Sequence, residues 1–265
     1  MIPIVKAHAF GNDFLYVEEH AIKGRDGASL ARRACDRHAG VGADGLIVYR
    51  RTPSGAAMRL FNADGSYSEV SGNGVRGLGA VLLEVHGADA GEDGTLTIGT
   101  DAGHKELTLI ERRDSRCVFR AAMGQPAEIA EKTLDVLGEP LTVVTLRVGN
   151  PQCVRLDEAL SDERMRRLGA ALEPHPAFPE GTNVEFARVT APDRVDIRVW
   201  ERGVGPTLAS GTGACAAAVA AASFGGAGRD VLVTSPGGTQ RVEWRDEGIF
   251  LTGWAEVILT GEWAG

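Results

Sequence analysis

The chain has no excess of basic charge. Its 265 residues carry 28 Lys and Arg against 36 Asp and Glu, a formal net charge of -8 with a pI near 5.3. With no compensating basic stretch, this balance argues against a nucleic-acid or anionic-membrane partner and for a small solute as ligand. Only four cysteines are present, Cys35, Cys117, Cys153 and Cys215, scattered without C-x-x-C pairing. That argues against a zinc site or a disulfide framework and leaves four buried thiols as the expectation. The six histidines show no metal-ligand spacing, so no metal is expected. No apolar run is long enough to span a bilayer, and residues 1–8 lack the basic start, apolar stretch and cleavage site of a secretion signal. A cytoplasmic location is therefore expected.

What the chain has in quantity is glycine, 35 residues, and a glycine-rich stretch that occurs twice. Ser71-Gly72-Asn73-Gly74-Val75-Arg76-Gly77 is answered far downstream by Ser210-Gly211-Thr212-Gly213-Ala214-Cys215-Ala216. Each is a serine, a Gly-x-Gly and then a small apolar run that reads as a helix, over about 73–85 and 212–224. The second run is Ala and Val on nearly every side, so that helix should be buried all round, and the first nearly so. A buried helix still carries bare N–H groups in its first turn. Those donors and the helix dipole favour an anion, and glycines let a ligand approach the backbone.

Two readings of the serines stand side by side. Ser before a helix is a preferred N-cap, which needs no ligand; alternatively, two such helix ends in one chain could grip one carboxylate. Gly72-x-Gly74-x-x-Gly77 also fits the dinucleotide fingerprint, and Gly211-x-Gly213-x-x-Ala216 its variant. That fingerprint must follow a buried strand directly, whereas Asn62-Ala63-Asp64-Gly65-Ser66 reads as a turn and Pro206 interrupts the second approach.

Strand character appears at 2–9 and 14–17 around the turn Gly11-Asn12-Asp13, then at 45–50 and 57–61, with a short helix over 29–38 ended by Gly40. After the first glycine-rich helix come strand-like runs at 95–99, 106–111 and 117–122, and residues 123–126 read as a crossover between domains. The order then repeats. Strands at 141–148 and 153–156 precede a helix over 162–172 capped by Ser161, and strands at 184–189 and 195–200 precede the second buried helix. Strands at 231–234, 240–244 and 249–251 follow, with a hairpin turn at Pro236-Gly237-Gly238. The pattern predicts an α+β protein of two pseudo-symmetric domains, each a curled mixed β-sheet around a central buried helix. The domains span 1–120, with about 255–265 returning to it, and 121–254.

Together Gly11-Asn12-Asp13-Phe14, Phe61-Asn62-Ala63-Asp64-Gly65-Ser66, Gly72-Asn73-Gly74-Val75-Arg76, Gly149-Asn150-Pro151, Gly181-Thr182-Asn183, Glu201-Arg202-Gly203 and Gly211-Thr212-Gly213-Ala214-Cys215 resemble the diaminopimelate epimerases. The motifs stand in family order from Phe10 to about Gly238. The resemblance implies a cofactor-independent amino-acid epimerase of the lysine and peptidoglycan precursor route, interconverting LL- and meso-diaminopimelate in a cleft between two domains. It also implies a homodimer and a final strand paired with the first domain. In that family two cysteines act across the substrate α-carbon, one removing the proton and the other returning one. By the resemblance, Gly72, Asn73, Gly211 and Thr212 hold the reacting carboxylate with their amides. Asn12, Asn62, Asn150, Asn183 and Arg202 recognise the rest of the substrate, Arg202 by a fork to the distal carboxylate, and Glu201 steers the amino group.

The departure from the family falls on the chemistry. The two catalytic cysteine positions are Ser71 and Ser210, the family's histidine after Asn-Pro is Gln152, and a further family glutamine is Gly45. A hydroxyl has a pKa about five units above a thiol's, so using it as base adds roughly 7 kcal/mol unless a neighbour takes its proton, and no such neighbour stands out. Cys215, five residues past Ser210, belongs to the helix packing. Three readings stay open. They are a natural serine variant with isomerase-type chemistry, on diaminopimelate or as a racemase or dehydratase for another amino acid, a Cys-to-Ser inactivated epimerase, and a non-catalytic amino-acid-binding protein.

Overall fold

One order of strands and helices is written twice along the chain. A computed structural model describes residues 1–90, 93–156 and 161–265. Backbone contacts divide them into two units, Met1–Ala121 with Gly253–Gly265, and Ala122–Thr252.

In the first unit the hairpin β1 (Ile2–Ala9) and β2 (Asn12–Glu18) is antiparallel, and β2 then pairs in parallel with β3 (Gly45–Thr52). Helices α1 (Glu19–Ile22) and α2 (Gly27–Ala34) fill that crossover, because parallel neighbours need a long connection. β3 pairs antiparallel with β4 (Gly55–Asn62), which carries the two-residue β5 (Tyr67–Ser68). A second parallel pair joins β4 to β6 (Thr95–Thr100), with α3 (Gly72–Glu84) as its crossover. β7 (Gly103–Arg113) and β8 (Arg116–Gly124) continue antiparallel.

The second unit repeats this. β9 (Ala127–Val136) leads into β10 (Glu139–Val148), antiparallel to β11 (Asn150–Leu156). The parallel pair β11 and β12 (Asn183–Ala191) is crossed by α4 (Asp162–Leu172). β12 pairs antiparallel with β13 (Arg194–Glu201), which carries the short β14 (Gly205–Thr207). The parallel pair β13 and β15 (Asp230–Ser235) is crossed by α5 (Gly211–Phe224), and β16 (Gly238–Arg245) and β17 (Gly248–Trp263) close the run. β17 serves both units, pairing its start with β16 and its end with β1.

The two glycine-rich helices are the cores of their units. Every residue of α3 from Asn73 to Leu83 is buried, and so is every residue of α5 from Gly213 to Ala221. α5 touches β10, β11, β12, β13, β15 and β16. Six strands can approach one helix because its side chains are mostly methyl groups. Leu146, Val154, Val199 and Val242 close over it.

Some elements differ from expectation. The helix predicted over 29–38 is α2 and runs Gly27–Ala34, because Asp26 caps it by accepting from Ser29 N at 2.9 Å. Its far end is cut by Asp36, whose carboxylate accepts from His38 N and Ala39 N, both at 2.7 Å, and turns the chain. Residues 123–126, read as a crossover, are followed by the ten-residue strand β9, which the sequence pattern does not predict. That strand exposes most of its length, so it lacks the alternation that reveals a half-buried strand.

Candidate functional site

At the start of α3, Ser71 is the N-cap, with φ -131° and ψ 124°, and its Oγ accepts from Gly74 N at 3.1 Å. At the start of α5, Ser210 has φ -132° and ψ 134°, and its Oγ accepts from Gly213 N at 3.2 Å. The capping reading of both serines is therefore correct, and capping leaves each hydroxyl able to bond elsewhere. A capping hydroxyl keeps its own proton and one lone pair for another partner.

In the first unit a polar network lies beside this helix end. Asn73, buried, donates from Nδ2 to Asn12 Oδ1 at 3.2 Å, and Asn12 Nδ2 donates to Asp44 Oδ2 at 2.8 Å. Arg76, fully buried one turn along α3, donates to Asn73 Oδ1 and lies over the Phe10 ring at 5.7 Å. Asp13 is gripped by Arg37 at 2.7 Å and Lys6 at 2.8 Å, and Arg37 reaches Asp44 at 2.9 Å. Burial works to raise the Asp13 pKa, but the hydrogen bonds from Arg37 and Lys6 outweigh it and hold the carboxyl below the usual range. Asn62 is bound locally, Nδ2 to Ser66 Oγ at 2.9 Å, as a turn asparagine. Gly72 is different from the glycines that follow it. A Cβ there would meet nothing within 4 Å, whereas one on Gly77 would strike the Tyr16 ring, with Cζ at 2.9 Å. Tyr16 donates its hydroxyl to Gly74 O at 3.0 Å, pinning the first turn of α3 to β2.

In the second unit the corresponding positions are filled by other chemistry. Gln152 is buried and its amide contacts Asn150 Oδ1 at 2.6 Å. Asn183 turns its Oδ1 to the backbone, accepting from Arg202 N at 2.9 Å. The Arg202 side chain is exposed and donates from Nη1 to Glu180 O at 2.6 Å, and Glu201 accepts from Thr207 Oγ1 at 2.7 Å. Thr212 Oγ1 lies 3.5 Å from Ser210 Oγ. So Asn150, Gln152, Thr212 and Ser210 form one cluster, with Asn183 and Glu201 on the adjoining strands and Arg202 in the turn after β13. Beneath that cluster is a residue the sequence did not single out, Glu185 on β12, with no measurable exposure. Burial, helped by the charge of Glu201, pushes its carboxyl well above the ordinary range. Its position in an apolar strand gave no signal beyond one charged letter among Val, Phe and Ala.

The cysteines lie inside the fold. All four are buried, Cys35 and Cys117 are pushed up to about 12 chiefly by burial, and Cys153 is raised further by the same cause. Cys215 sits in the apolar packing of α5. Among the described residues no three His, Cys, Asp or Glu cluster as metal ligands, and no helix is long and apolar enough to cross a membrane. An open cleft of about 350 Å³ on the first unit, lined by Glu19, Tyr49, Arg50, Arg59 and Asp101, includes no residue of either helix end.

The doubled fold and its two capped helices have close parallels in known proteins. The family model for diaminopimelate epimerase matches residues 4–128 and 144–258. The chain belongs to the diaminopimelate epimerase family. It is 41% identical to a diaminopimelate epimerase from Desulforudis audaxviator, over 97% of this chain and 98% of that one. It is 38% identical to the Synechococcus elongatus diaminopimelate epimerase, over 98% and 97% of the two chains. In three dimensions it resembles a hydroxyproline epimerase from Agrobacterium vitis, with a TM-score of 0.70, 16% identity, and 98% of this chain and 90% of that one covered. A predicted epimerase from Pseudomonas aeruginosa gives a TM-score of 0.76 at 16% identity over the whole of both chains. At such identity these two likenesses concern the fold. Within the diaminopimelate epimerase family, the helix ends described above carry serine where the sequence reading places the family's cysteines.

Proposed function

We propose that the chain is a cofactor-independent epimerase of diaminopimelate in which Ser71 and Ser210 occupy the two base positions. The observation that carries the reading is the match between two capped helix ends. Both serines have the same backbone conformation, both Oγ atoms accept from the third amide of a buried helix, and both are followed by Gly-Asn or Gly-Thr, whose first-turn amides have no intrahelical acceptor. Removing an α-proton leaves negative charge on the substrate carboxylate. First-turn amides of Gly72, Asn73, Gly211 and Thr212 are preorganised to stabilise it, which solvent water would have to reorganise to do. Inversion needs two groups on opposite faces of the α-carbon, since one base on one face restores the starting configuration. One Oγ takes the proton as the other gives its own, and the two exchange protonation state with each turnover. Asn12, Asn62, Asn150, Asn183, Glu201 and Arg202 would recognise the remainder of the substrate.

The serines set the rate. Replacing a thiolate by an alkoxide raises the base by roughly 7 kcal/mol, and one charge-assisted hydrogen bond to each Oγ returns about 1.5–3 kcal/mol. The remainder, about 4–5.5 kcal/mol, corresponds to roughly a thousandfold to ten-thousandfold in rate. Deuterium incorporation at the α-carbon of LL- and meso-diaminopimelate tests this. Slow exchange is expected for the protein itself and exchange roughly a thousandfold to ten-thousandfold faster for Ser71→Cys with Ser210→Cys. Absence of exchange in both proteins, with diaminopimelate still bound in calorimetry, would replace this reading by that of a binding protein.

A further inference from the structure

The internal repeat supplies a control for Glu185. Phe14 on β2 stands opposite Gly45 on β3, and Gln152 on β11 stands opposite Asn183 on β12. Two residues further along these parallel strands lie Ile47 and Glu185. Both sit under the second glycine of their helix: a Cβ on Gly74 would meet Ile47 Cδ1 at 2.8 Å, and one on Gly213 would meet Glu185 Oε1 at 2.7 Å. Packing at this place is thus satisfied by an isoleucine in one unit. A fully buried carboxyl in the other is an expensive alternative that packing does not require.

The amide of Gln152 explains what the carboxyl does there. One of its terminal atoms lies 2.6 Å from Asn150 Oδ1 and 3.3 Å from Thr212 Oγ1, and the other lies 2.9 and 3.3 Å from the two oxygens of Glu185. With the nitrogen toward Asn150 and Thr212, the amide oxygen faces Glu185, and that contact is a bond only if Glu185 carries a proton. With the amide reversed, the nitrogen donates to Glu185 in either charge state, and the oxygen then needs a donor from Asn150, whose own amide must turn as well to replace Oδ1 at 2.6 Å. The first arrangement pairs every group without turning Asn150. Its donors also all run one way: Glu185 O–H to Gln152, Gln152 N–H to Thr212, and the Thr212 hydroxyl left to donate to Ser210 Oγ, 3.5 Å away.

We propose that Glu185 is a positioning residue for Ser210: as a hydroxyl donor to Gln152 it fixes the sense of that amide, so that Thr212 and the Gly213 amide both aim donors at Ser210 Oγ. The inference rests on the reading of Ser210 as a base, because two donors favour its deprotonated form. It also makes the two serines unequal, since Ile47 gives Ser71 no such chain. The groups facing Glu185 agree with a neutral acid. Glu201 on β13 and the thiol of Cys153 on β11 are its titratable neighbours, and α5 contributes no charged side chain to the contact. Its own backbone amide favours the charged form, but burial dominates.

Two measurements test this on the full chain. An infrared difference spectrum between the protein and Glu185→Gln at neutral pH should contain the carbonyl band of a protonated carboxylic acid; a carboxylate band in its place overturns the proposal. In a Ser210→Cys background, iodoacetamide alkylation at neutral pH reports how far the new thiol is ionised, with the four native thiols buried. Glu185→Gln, which supplies a donor and an oxygen, should leave that rate within about twofold, and Glu185→Leu should slow it by about threefold to tenfold, up to one pKa unit. Equal rates in all three overturn the proposal, and if Glu185→Leu does not fold, a large fall in Glu185→Gln does so by itself. Both readouts are independent of substrate, so failure of α-proton exchange with these two results intact would sink the proposed function and leave Glu185's role standing.

Discussion

Asp13 illustrates how much a single residue near the site depends on partners distant in sequence. Its carboxylate is held by Lys6 from the neighbouring strand and Arg37 from the loop after α2, and its backbone N–H donates to Asp44 at 3.1 Å. Because these bonds hold its folded pKa below the unfolded value near 3.9, Asp13 contributes stability above about pH 4 that is lost as pH falls through the folded value. Asp13→Asn should therefore destabilise the protein by about 1–3 kcal/mol at neutral pH. In thermal melts the gap between the two proteins should close as the pH is taken below about 4; a gap constant with pH would mean that the charge is not what stabilises.

The two glycine-rich helices separate glycines kept for packing from a glycine kept for access. Ala is the better helix former by about 1 kcal/mol. At Gly77 that gain is overridden, because the added methyl meets the Tyr16 ring and the hydroxyl that holds the first turn of α3. Gly77→Ala should lower stability by about 1–3 kcal/mol, read as a denaturant midpoint. At Gly72 the methyl enters open space beside the first-turn amides. Gly72→Ala should keep the midpoint within about 0.5 kcal/mol and weaken diaminopimelate binding in calorimetry; unchanged binding would remove Gly72 from the carboxylate site.

For the whole molecule the decisive strand is the last. The second half of β17 pairs with β1 from Ile2↔Trp263 to His8↔Glu256, and Arg116 ties Glu256 at 2.8 Å. Ending the chain after Thr252 would uncover one edge of β1 along most of its length and open the Ile2, Ile4 and Trp263 side of the core. Such a truncation should lose the ordered first unit, seen as rapid proteolysis within residues 1–121, while the second unit keeps its β16–β17 pairings from Arg241↔Thr252 to Arg245↔Gly248. Protection of the first unit in that experiment would show the returning strand to be dispensable.

Composition and local pattern sufficed for the doubled α+β order, the two buried helices and their serine caps, because small-residue runs and Ser-Gly-x-Gly signals act within a few residues of themselves. The asparagines, Gln152, Arg202 and Glu201 could be named from motif order. Nothing local could show that Asn73 and Asn12, or Gln152 and Thr212, touch, since each pair is 60 or more positions apart and is joined only by strand register. Glu185 was the most hidden. Its letter is ordinary, and only burial beneath α5, with an isoleucine at the matching place in the other unit, turns that carboxyl into a neutral donor that sets the direction of a hydrogen-bond chain.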